Sequence, residues 1–489
     1  MPVFSVGAQF DAATISDVEP ADLDGDGLVD LAVAWYATDF QDMSANRRAV
    51  SILLGTGSPE FAPGPVLELY QPNFEFPEKS IFRNGTSELA VGDFDGDGDP
   101  DLAALPFFGD ELWFIENLGG GAFAQYLYFI FDINSGGNEI TPPKAAAADF
   151  AGVGRDVLVY VVDPILYVDQ VPIHFWRGTQ LSDMRRVRWE GNGGPFVQWT
   201  RSLAVDDFDG DGRPDVAFSG SDSPPLEEHP AIVLWHNLNL STKRFDVSTF
   251  TPSFLCSDIV AFRPPQACRA GLLTLDLNGL VAEHWAPSSC SGPPTLSLVA
   301  AEEGYVGSFN RGMAGATGDI DGDGDLDLVT RQRLTSLDDC GAIDVTRIAP
   351  DGAALDRVDP APVLTCGYAE SSANGILRPR NLAVADLFGN QRPEIVAAFD
   401  AEEAEGEAGA NGTLRLALWS NSCPADVNAD GQTNILDLGE LLGAFGSCDG
   451  TPDFDAAVDL NHDGCADVDD LALILENFGC TCCVGTSHH

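Results

Sequence analysis

Asp93-Phe94-Asp95-Gly96-Asp97-Gly98-Asp99-Pro100-Asp101, followed by an apolar run at 102–105, is the stretch that decides the fold of this chain. Carboxylates at positions 1, 3, 5 and 9 would repel one another unless a hard cation lay among them. Ca2+ is such a cation, because it takes about 6 to 8 oxygen ligands at roughly 2.3 to 2.6 Å. The glycines at positions 4 and 6 allow the tight turn that brings these oxygens together. The stretch therefore predicts a calcium loop that leads into a β-strand.

The same pattern recurs at 22–30, 207–215 and 319–327. When the loops and the strands before them are aligned, successive repeats start 54 to 71 residues apart. Each repeat carries about four short runs of β-branched and aromatic residues separated by turn-forming residues, which is the pattern of β-strands. Seven such repeats predict a mainly β chain in which residues 1–420 form a seven-bladed β-propeller.

Some repeats depart from this pattern. The last shows only three strand-like runs, and we expect Val3 to Val6 to supply the fourth. The loops at 149–155 and 386–394 have lost most of their carboxylates. The fifth repeat has no acidic loop, and Cys256 and Cys268 bracket that segment. A disulfide between these two cysteines is our hypothesis for what replaces calcium there.

The charge of the chain excludes some partners. Its 76 acidic and 25 basic residues give a formal net charge of −51, which argues against nucleic acid and anionic membranes. The excess acid is either a solvated surface or a set of grouped cation ligands. The sequence has no run of about 18 apolar residues, so we expect no membrane span. Calcium loops and eleven cysteines predict an extracellular or cell-surface protein whose signal peptide has been removed.

The sequence changes character after Trp419. Residues 421–483 contain two loops with EF-hand-like spacing, each followed by a short amphipathic run, and 484–489 read as a tail or tag remnant. The predicted ligands of these two calcium sites are Asp426, Asn428, Asp430, Gln432, Asn434 and Asp437, and then Asp459, Asn461, Asp463, Cys465, Asp467 and Asp470.

The four acidic loops resemble the FG-GAP or VCBS-type propeller repeat of integrin α-subunit heads, whose loop is Asp-x-Asp/Asn-x-Asp-Gly-x-x-Asp. The resemblance implies four calcium sites with side-chain ligands at positions 1, 3, 5 and 9 and a main-chain carbonyl at position 7. The implied ligands are Asp22, Asp24, Asp26, Leu28 and Asp30; Asp93, Asp95, Asp97, Asp99 and Asp101; Asp207, Asp209, Asp211, Arg213 and Asp215; and Asp319, Asp321, Asp323, Asp325 and Asp327.

The paired loops at the C-terminus, with aspartate at position 12 and the repeated Phe445-Gly and Phe478-Gly pairs, resemble a cysteine-containing type I dockerin. This resemblance implies a small α-helical, paired EF-hand-like loop-helix domain. It also implies a cohesin-like protein partner and attachment to a scaffold or cell surface. The two resemblances together imply about six Ca2+ sites, four in the propeller and two in the C-terminal module.

The sequence shows no catalytic constellation. The seven histidines have neither zinc-site nor nucleophile spacing, and we assign no catalytic residue. We therefore predict a secreted, calcium-stabilised propeller that binds a protein or a glycan and is anchored or assembled through its dockerin-like module. One alternative is a carbohydrate-active enzyme of the polysaccharide lyase kind on a propeller scaffold. Another is a structural subunit that assembles with further copies of itself.

Overall fold

The structure of this chain is a computed structural model. It describes residues 3–4, 14–37, 47–57, 61–69, 86–106, 111–129, 144–161, 173–177, 187–188, 198–221, 230–239, 244–263, 268–276, 281–287, 294–303, 313–320, 326–332, 341–348, 355–357, 363–365, 382–387, 393–399, 415–419, 425, 427, 433–448, 451, 458, 460, 465–476 and 478–479.

Five sheets are regular blades, each built from four consecutive antiparallel strands. Their strands are β2 (Thr14–Ala21), β3 (Asp30–Ala37), β4 (Arg47–Leu54) and β5 (Ala62–Glu68); β6 (Thr86–Gly92), β7 (Asp101–Pro106), β8 (Glu111–Asn117) and β9 (Phe123–Phe129); β10 (Lys144–Ala148), β11 (Val157–Val161), β12 (Ile173–Arg177) and β13 (Val187–Arg188); β14 (Gln198–Asp206), β15 (Asp215–Ser221), β16 (Pro230–Asn239) and β17 (Arg244–Phe250); and β18 (Cys256–Phe262), β19 (Gly271–Asp276), β20 (Val281–Pro287) and β21 (Leu296–Glu303).

Two further sheets are irregular. One has five strands, with the last two both paired to the third: β22 (Met313–Gly318), β23 (Asp327–Gln332), β24 (Gly341–Ile348), β25 (Leu355–Arg357) and β26 (Val363–Thr365). The other joins β1 (Val3–Phe4) to β27 (Leu382–Ala385), β28 (Glu394–Phe399) and β29 (Arg415–Trp419). β1 pairs antiparallel with β29, as predicted for the N-terminal strand.

The predicted fold class, a seven-bladed β-propeller followed by a small α-helical dockerin-like domain, is wrong. The structure has five regular blades, a five-stranded sheet and a composite sheet built from both ends of the chain. The prediction assigned four strands to every repeat, counting the N-terminal strand with the last. Strand pairing depends instead on which segments can hydrogen-bond in register, and β24 is long enough to pair with β25 at one end and β26 at the other.

The first strands of neighbouring sheets contact one another around a ring, in the order β2, β6, β10, β14, β18, β22, β27 and back to β2. The core lies between adjacent sheets. Between the first two blades, Ala32 and Ile52 pack with Leu89, Leu102 and Trp113, and all five are buried. Because strand side chains alternate between faces, each blade buries one face against each neighbour, and this burial contributes roughly 25 cal/mol per Å² of apolar surface.

The acidic loops all join the first strand of a sheet to its second. In each case the last pair of the ladder includes the ninth residue of the loop, which opens the second strand. The pairs are Ala21 with Asp30, Gly92 with Asp101, Asp206 with Asp215 and Gly318 with Asp327. The strand ladder therefore sets where position 9 of every acidic loop lies.

After Trp419 the described residues contain two short helices, α1 (Ile435–Ala444) and α2 (Val468–Glu476). The predicted α-helical dockerin-like domain is therefore wrong as a description of this segment. Helices of 10 and 9 residues are too short to form a helical core by themselves. Their small contact, which includes Leu441, Val458 and Ile474, is supplemented by a disulfide between Cys448 and Cys465.

The hypothesis of a Cys256–Cys268 disulfide is also wrong. Cys256 is a buried cysteine outside any disulfide, whereas Cys268 is disulfide-bonded. Cys256 opens β18 opposite Asp276, at the end of the β18–β19 ladder that lies far from Cys268. Within the described residues, no helix is long and apolar enough to cross a membrane.

Candidate metal centres

Three of the acidic loops bring carboxylates together in the same way. In each loop the aspartates at positions 1, 3 and 9 place one oxygen apiece within 4.8 Å of the others, as expected of ligands that share one cation. The three groups are Asp22, Asp24 and Asp30; Asp93, Asp95 and Asp101; and Asp207, Asp209 and Asp215. The ninth residue is buried in all three, and the other two are partly exposed.

The first aspartate of each loop shapes the turn. In the second blade, Asp93 Oδ1 accepts hydrogen bonds from the backbone N–H of Gly96 at 2.6 Å and of Asp97 at 3.2 Å, and its Oδ2 accepts from Gly98 at 3.0 Å. The loops beginning at Asp22 and Asp207 repeat these three bonds. Gly96 has a φ of +85°, in the left-handed region that a side chain disfavours, so glycine at position 4 is required by the turn.

The ninth aspartate ties the loop to the blade. Asp101 Oδ2 accepts from Phe94 N at 2.9 Å, and its Oδ1 accepts from Asn117 N at 2.8 Å. In the first blade Asp30 accepts equivalent bonds from Leu23 and Gly55. One carboxylate therefore holds three segments of a blade together and still contributes an oxygen to the acidic group.

Burial gives these carboxyls unusual acidities. It raises the pKa of Asp101 to about 7, with the charges of Asp95 and Asp97 adding to the effect of burial and backbone N–H donors opposing it. Burial likewise raises the pKa of Asp215 to about 8, helped by the charge of Asp209. A bound divalent cation would offset this cost by stabilising the ionised form.

The raised pKa values predict how stability depends on pH without cations. The protonated forms of Asp101 and Asp215 favour the folded state fully below their unfolded pKa of about 3.9, and this contribution is lost as pH rises through their folded pKa values of about 7 and about 8. We therefore expect the melting temperature in EDTA to fall between pH 5 and 8.5, as measured by calorimetry. With Ca2+ present the fall should be much smaller, and parallel curves with and without Ca2+ would contradict this prediction.

The structure describes the predicted ligands unevenly. All residues at positions 5 and 7 of the three loops lie outside the three-carboxylate groups. Asp26, Asp97, Asp211 and Arg213 are exposed, whereas Leu28 and Asp99 are partly buried. In the fourth acidic loop Asp319 and Asp327 are described, whereas Asp321, Asp323 and Asp325 lie outside the described residues. The C-terminal ligands Asp426, Asn428, Asp430, Gln432, Asp459, Asn461 and Asp463 lie outside them as well.

Two described aspartates in the C-terminal segment have matching environments. Asp437 accepts from the backbone N–H of Val427 at 2.8 Å and of Asn434 at 2.7 Å. Asp470 accepts in the same way from Leu460 at 2.8 Å and Asp467 at 2.7 Å. The two predicted loops thus end in the same arrangement, in which a buried aspartate in the first turn of a helix holds the start of its loop. The side chain of Asn434 also caps α1 by accepting from Leu436 N.

Sequence reasoning missed the side chains that flank position 3. Glu116, at the end of β8, hydrogen-bonds Asp95, and its charge contributes to the raised pKa of Asp95, after burial and the charge of Asp97. In the fourth blade the Nδ1 atom of His236 on β16 lies 3.4 Å from Asp209 Oδ2, with both side chains buried. The two residues occupy the same place in their ladders, next to Ile115 and Trp235, so aligning the third strands would have found them.

The third blade shows what remains when ligands are lost. Asp149 still accepts from Ala151 N at 3.2 Å and from Gly154 N at 2.6 Å. Backbone donors lower its pKa although partial burial opposes them. Ala151 and Val153 are exposed and carry no oxygen for a cation. The turn therefore survives without a complete set of ligands.

The family model of the FG-GAP-like repeat matches residues 22–104, which span the first two acidic loops. The ring of sheets is that of a β-propeller, and residues 22–104 of it are similar to the FG-GAP-like repeat. No curated protein matches the chain.

Several solved structures align with most of the chain at low identity. BBS1N in complex with ARL6DN is 13% identical, covers 85% of this chain and 94% of its own, and has a TM-score of 0.45. The Dos1 propeller is 10% identical, covers 83% of this chain and 78% of its own, and has a TM-score of 0.41. U3-55K is 12% identical, covers 83% of this chain and 98% of its own, and has a TM-score of 0.42.

Proposed function

We propose that this chain is a secreted, calcium-stabilised propeller that presents its ring of blades to a protein or a glycan. The observation that carries the proposal is the threefold repetition of one carboxylate group on three rigid strand ends. Three aspartate oxygens within 4.8 Å of one another form a hard, anionic site, which favours Ca2+ over softer transition metals.

The position of these loops argues for a stabilising role. Each loop closes the turn between the first two strands of its blade, and its ligands all come from within the loop. A cation there would relieve repulsion among the carboxylates and fix the end of the strand pair. The cations would then stabilise the ring, and the surface that binds a partner would lie elsewhere on it.

The C-terminal segment supplies a candidate attachment surface. Several large apolar side chains on and beside its two helices are exposed, among them Ile435, Leu442, Phe445, Leu475 and Phe478. Where exposed apolar side chains form a contiguous patch, they mark protein-binding sites. Residues 421–489 contain thirteen aspartates and glutamates and no lysine or arginine, so a protein with a basic rim would complement them.

Binding assays on the full chain test the proposal. The immobilised protein should capture a specific glycan from an array, or a purified secreted protein, in Ca2+, and should lose this ligand in EDTA. A double variant, Leu442→Gln with Leu475→Gln, should retain capture by the propeller while losing any partner bound through the C-terminal segment. Failure to find a cation-dependent ligand of either class would overturn the proposed function.

A further inference from the structure

A pocket of about 700 Å³ lies among the first strands of the third to sixth sheets. Its apolar lining comes from β10, β14 and β18, with Ala146, Leu203, Val205 and Ile259 among the contributors. Five charged residues also line it: Asp206, Asp207, Arg213, Asp258 and Arg263. The pocket has the size of a typical small-molecule site, and polar and apolar atoms share its wall about equally.

Two of the pocket carboxylates are already fully engaged. Asp207 accepts from Gly210, Asp211 and Gly212 of its own loop. Asp258 accepts from the Ser202 hydroxyl and Ile259 N through Oδ1, and from Gly315 N through Oδ2. These two acids therefore hold neighbouring sheets and loops together and offer little to a ligand.

The third carboxylate pairs with an arginine. Arg263 Nη2 donates to Asp206 Oδ1 and, at 3.3 Å, to the carbonyl oxygen of Asp207. Of the hydrogen bonds between described residues, these two use only one of the three nitrogens of Arg263. Its side chain is 38% exposed, so the other nitrogens can reach a ligand.

The second arginine is freer. The Nε atom of Arg213 lies 3.9 Å from Asp211 Oδ2, beyond hydrogen-bonding distance, and its side chain is 60% exposed. Arg213 follows the turn of its acidic loop, and the loop backbone fixes where its side chain starts, since Arg213 N donates to Asp211 Oδ1 at 2.9 Å. The pocket thus presents spare donors on two guanidinium groups, while two of its three carboxylates have both oxygens engaged.

Because the arginines have unused donors while most carboxylate oxygens are engaged, we propose that the pocket binds a small carboxylate-bearing ligand through Arg213 and Arg263. A guanidinium group matches a carboxylate because two parallel N–H donors meet its two oxygens. Acidic sugars and acidic peptides share this chemistry. The inference rests on the proposed binding function and adds to it the class of ligand and the two residues that recognise it.

Calorimetric titration of the full chain with paired probes tests the inference. Cellobiouronic acid and acetyl-Gly-Asp carry the carboxylate, and cellobiose and acetyl-Gly-Asn are their neutral counterparts. We expect at least one acidic probe to bind and its neutral counterpart to bind about tenfold more weakly, because a charge-assisted hydrogen bond contributes about 1.5 to 3 kcal/mol. The acidic probe that binds identifies the source of the carboxylate. Absence of binding by both acidic probes at about 10 mM would overturn the proposal.

Two variants assign the binding to the arginines. Arg213→Gln should weaken binding of the acidic probe by roughly tenfold without changing the melting temperature, since the Nε atom of Arg213 lies 3.9 Å from Asp211 Oδ2, beyond hydrogen-bonding distance. Arg263→Gln should weaken binding of the acidic probe at least as much. This substitution also removes the ion pair with Asp206, so the melting temperature of the variant is measured as well. Arg47→Gln is the matched control, because Arg47 pairs with Glu68 at the outer strands of the first blade. Equal affinity in the wild type and Arg213→Gln would contradict the assignment.

The outcome can be separated from the calcium proposal. If an acidic probe binds in an arginine-dependent way while EDTA leaves the melting temperature unchanged, the pocket stands and the calcium assignment fails. If EDTA destabilises the protein and no acidic probe binds, the calcium assignment stands and the pocket proposal fails.

Discussion

Removal of divalent cations is expected to lower the melting temperature of this protein by about 10 °C or more at pH 8. A cation that binds only the folded state stabilises it by RT ln(1 + [L]/Kd), which is about 2.7 kcal/mol per site at a hundredfold excess over Kd. Three loops share one carboxylate geometry, so their contributions add unless they interact. Scanning calorimetry in EDTA and in 2 mM Ca2+, at about pH 8 where Asp101 is largely ionised and Asp215 about half ionised, measures the shift.

Two controls make this result specific. Restoring Ca2+ to the chelated protein should recover the original melting temperature, whereas Mg2+ at the same concentration should recover less, because Mg2+ demands near-ideal octahedral geometry and gives up its waters reluctantly. An unchanged melting temperature in EDTA would mean that the carboxylate groups do not hold cations in solution.

Substitution of the ninth residue of one loop is expected to have the next largest effect. Asp215→Ala removes the acceptor for the N–H groups of Phe208 and Asp209, both bonded at 3.0 Å, in a region that excludes water. Leaving such donors unpaired costs about 1 to 3 kcal/mol each, so we expect the free energy of unfolding in EDTA to fall by about 2 to 6 kcal/mol. Denaturant unfolding in EDTA measures this loss.

The same variant should also lose one cation. Titration with Ca2+ should show one site fewer in Asp215→Ala than in the wild type, because a carboxylate of the fourth blade's group is gone. Asp215→Asn retains one acceptor oxygen and separates the two effects: it should lose the cation with a smaller loss of stability in EDTA.

Asp149→Ala is the matched control for these variants. Asp149 holds a turn of the same kind but has Ala151 and Val153 in place of ligands. Its substitution should change the unfolding free energy by about 1 kcal/mol and leave the number of bound cations unchanged. Loss of a cation in Asp149→Ala would contradict the assignment of ligands to the loops.

Much of the fold follows from local pattern. Four strand-like runs per repeat were predicted, and five of the sheets have four consecutive strands, because alternating apolar residues bounded by turn residues specify a strand without reference to the rest of the chain. Pairing of sheets was harder to predict. β26 pairs with residues 341–343 of β24 as a fifth strand of that sheet. A repeat pattern in the sequence does not predict such an additional strand.

The candidate sites likewise divide into features that local sequence predicts and features that it does not. Position 1 of each acidic loop organises its turn through hydrogen bonds to residues no more than five positions away, so the pattern in the sequence was enough to find it. The burial of Cys256, the contacts of Glu116 and His236, and the two arginines of the pocket all depend on residues from other strands or other sheets.

The sequence by itself determined the turn of the acidic loop at Asp93 to Asp101 and of the loops that repeat its pattern, since the hydrogen bonds that form these turns lie within nine residues. Only the tertiary structure decided how many regular blades the ring contains and which side chain flanks each carboxylate group. It also placed Arg213 and Arg263 in one pocket. Those outcomes depend on contacts between different strands or sheets, and no local pattern encodes them. The pair of Arg263 with Asp206, more than fifty residues apart in the chain, is one example.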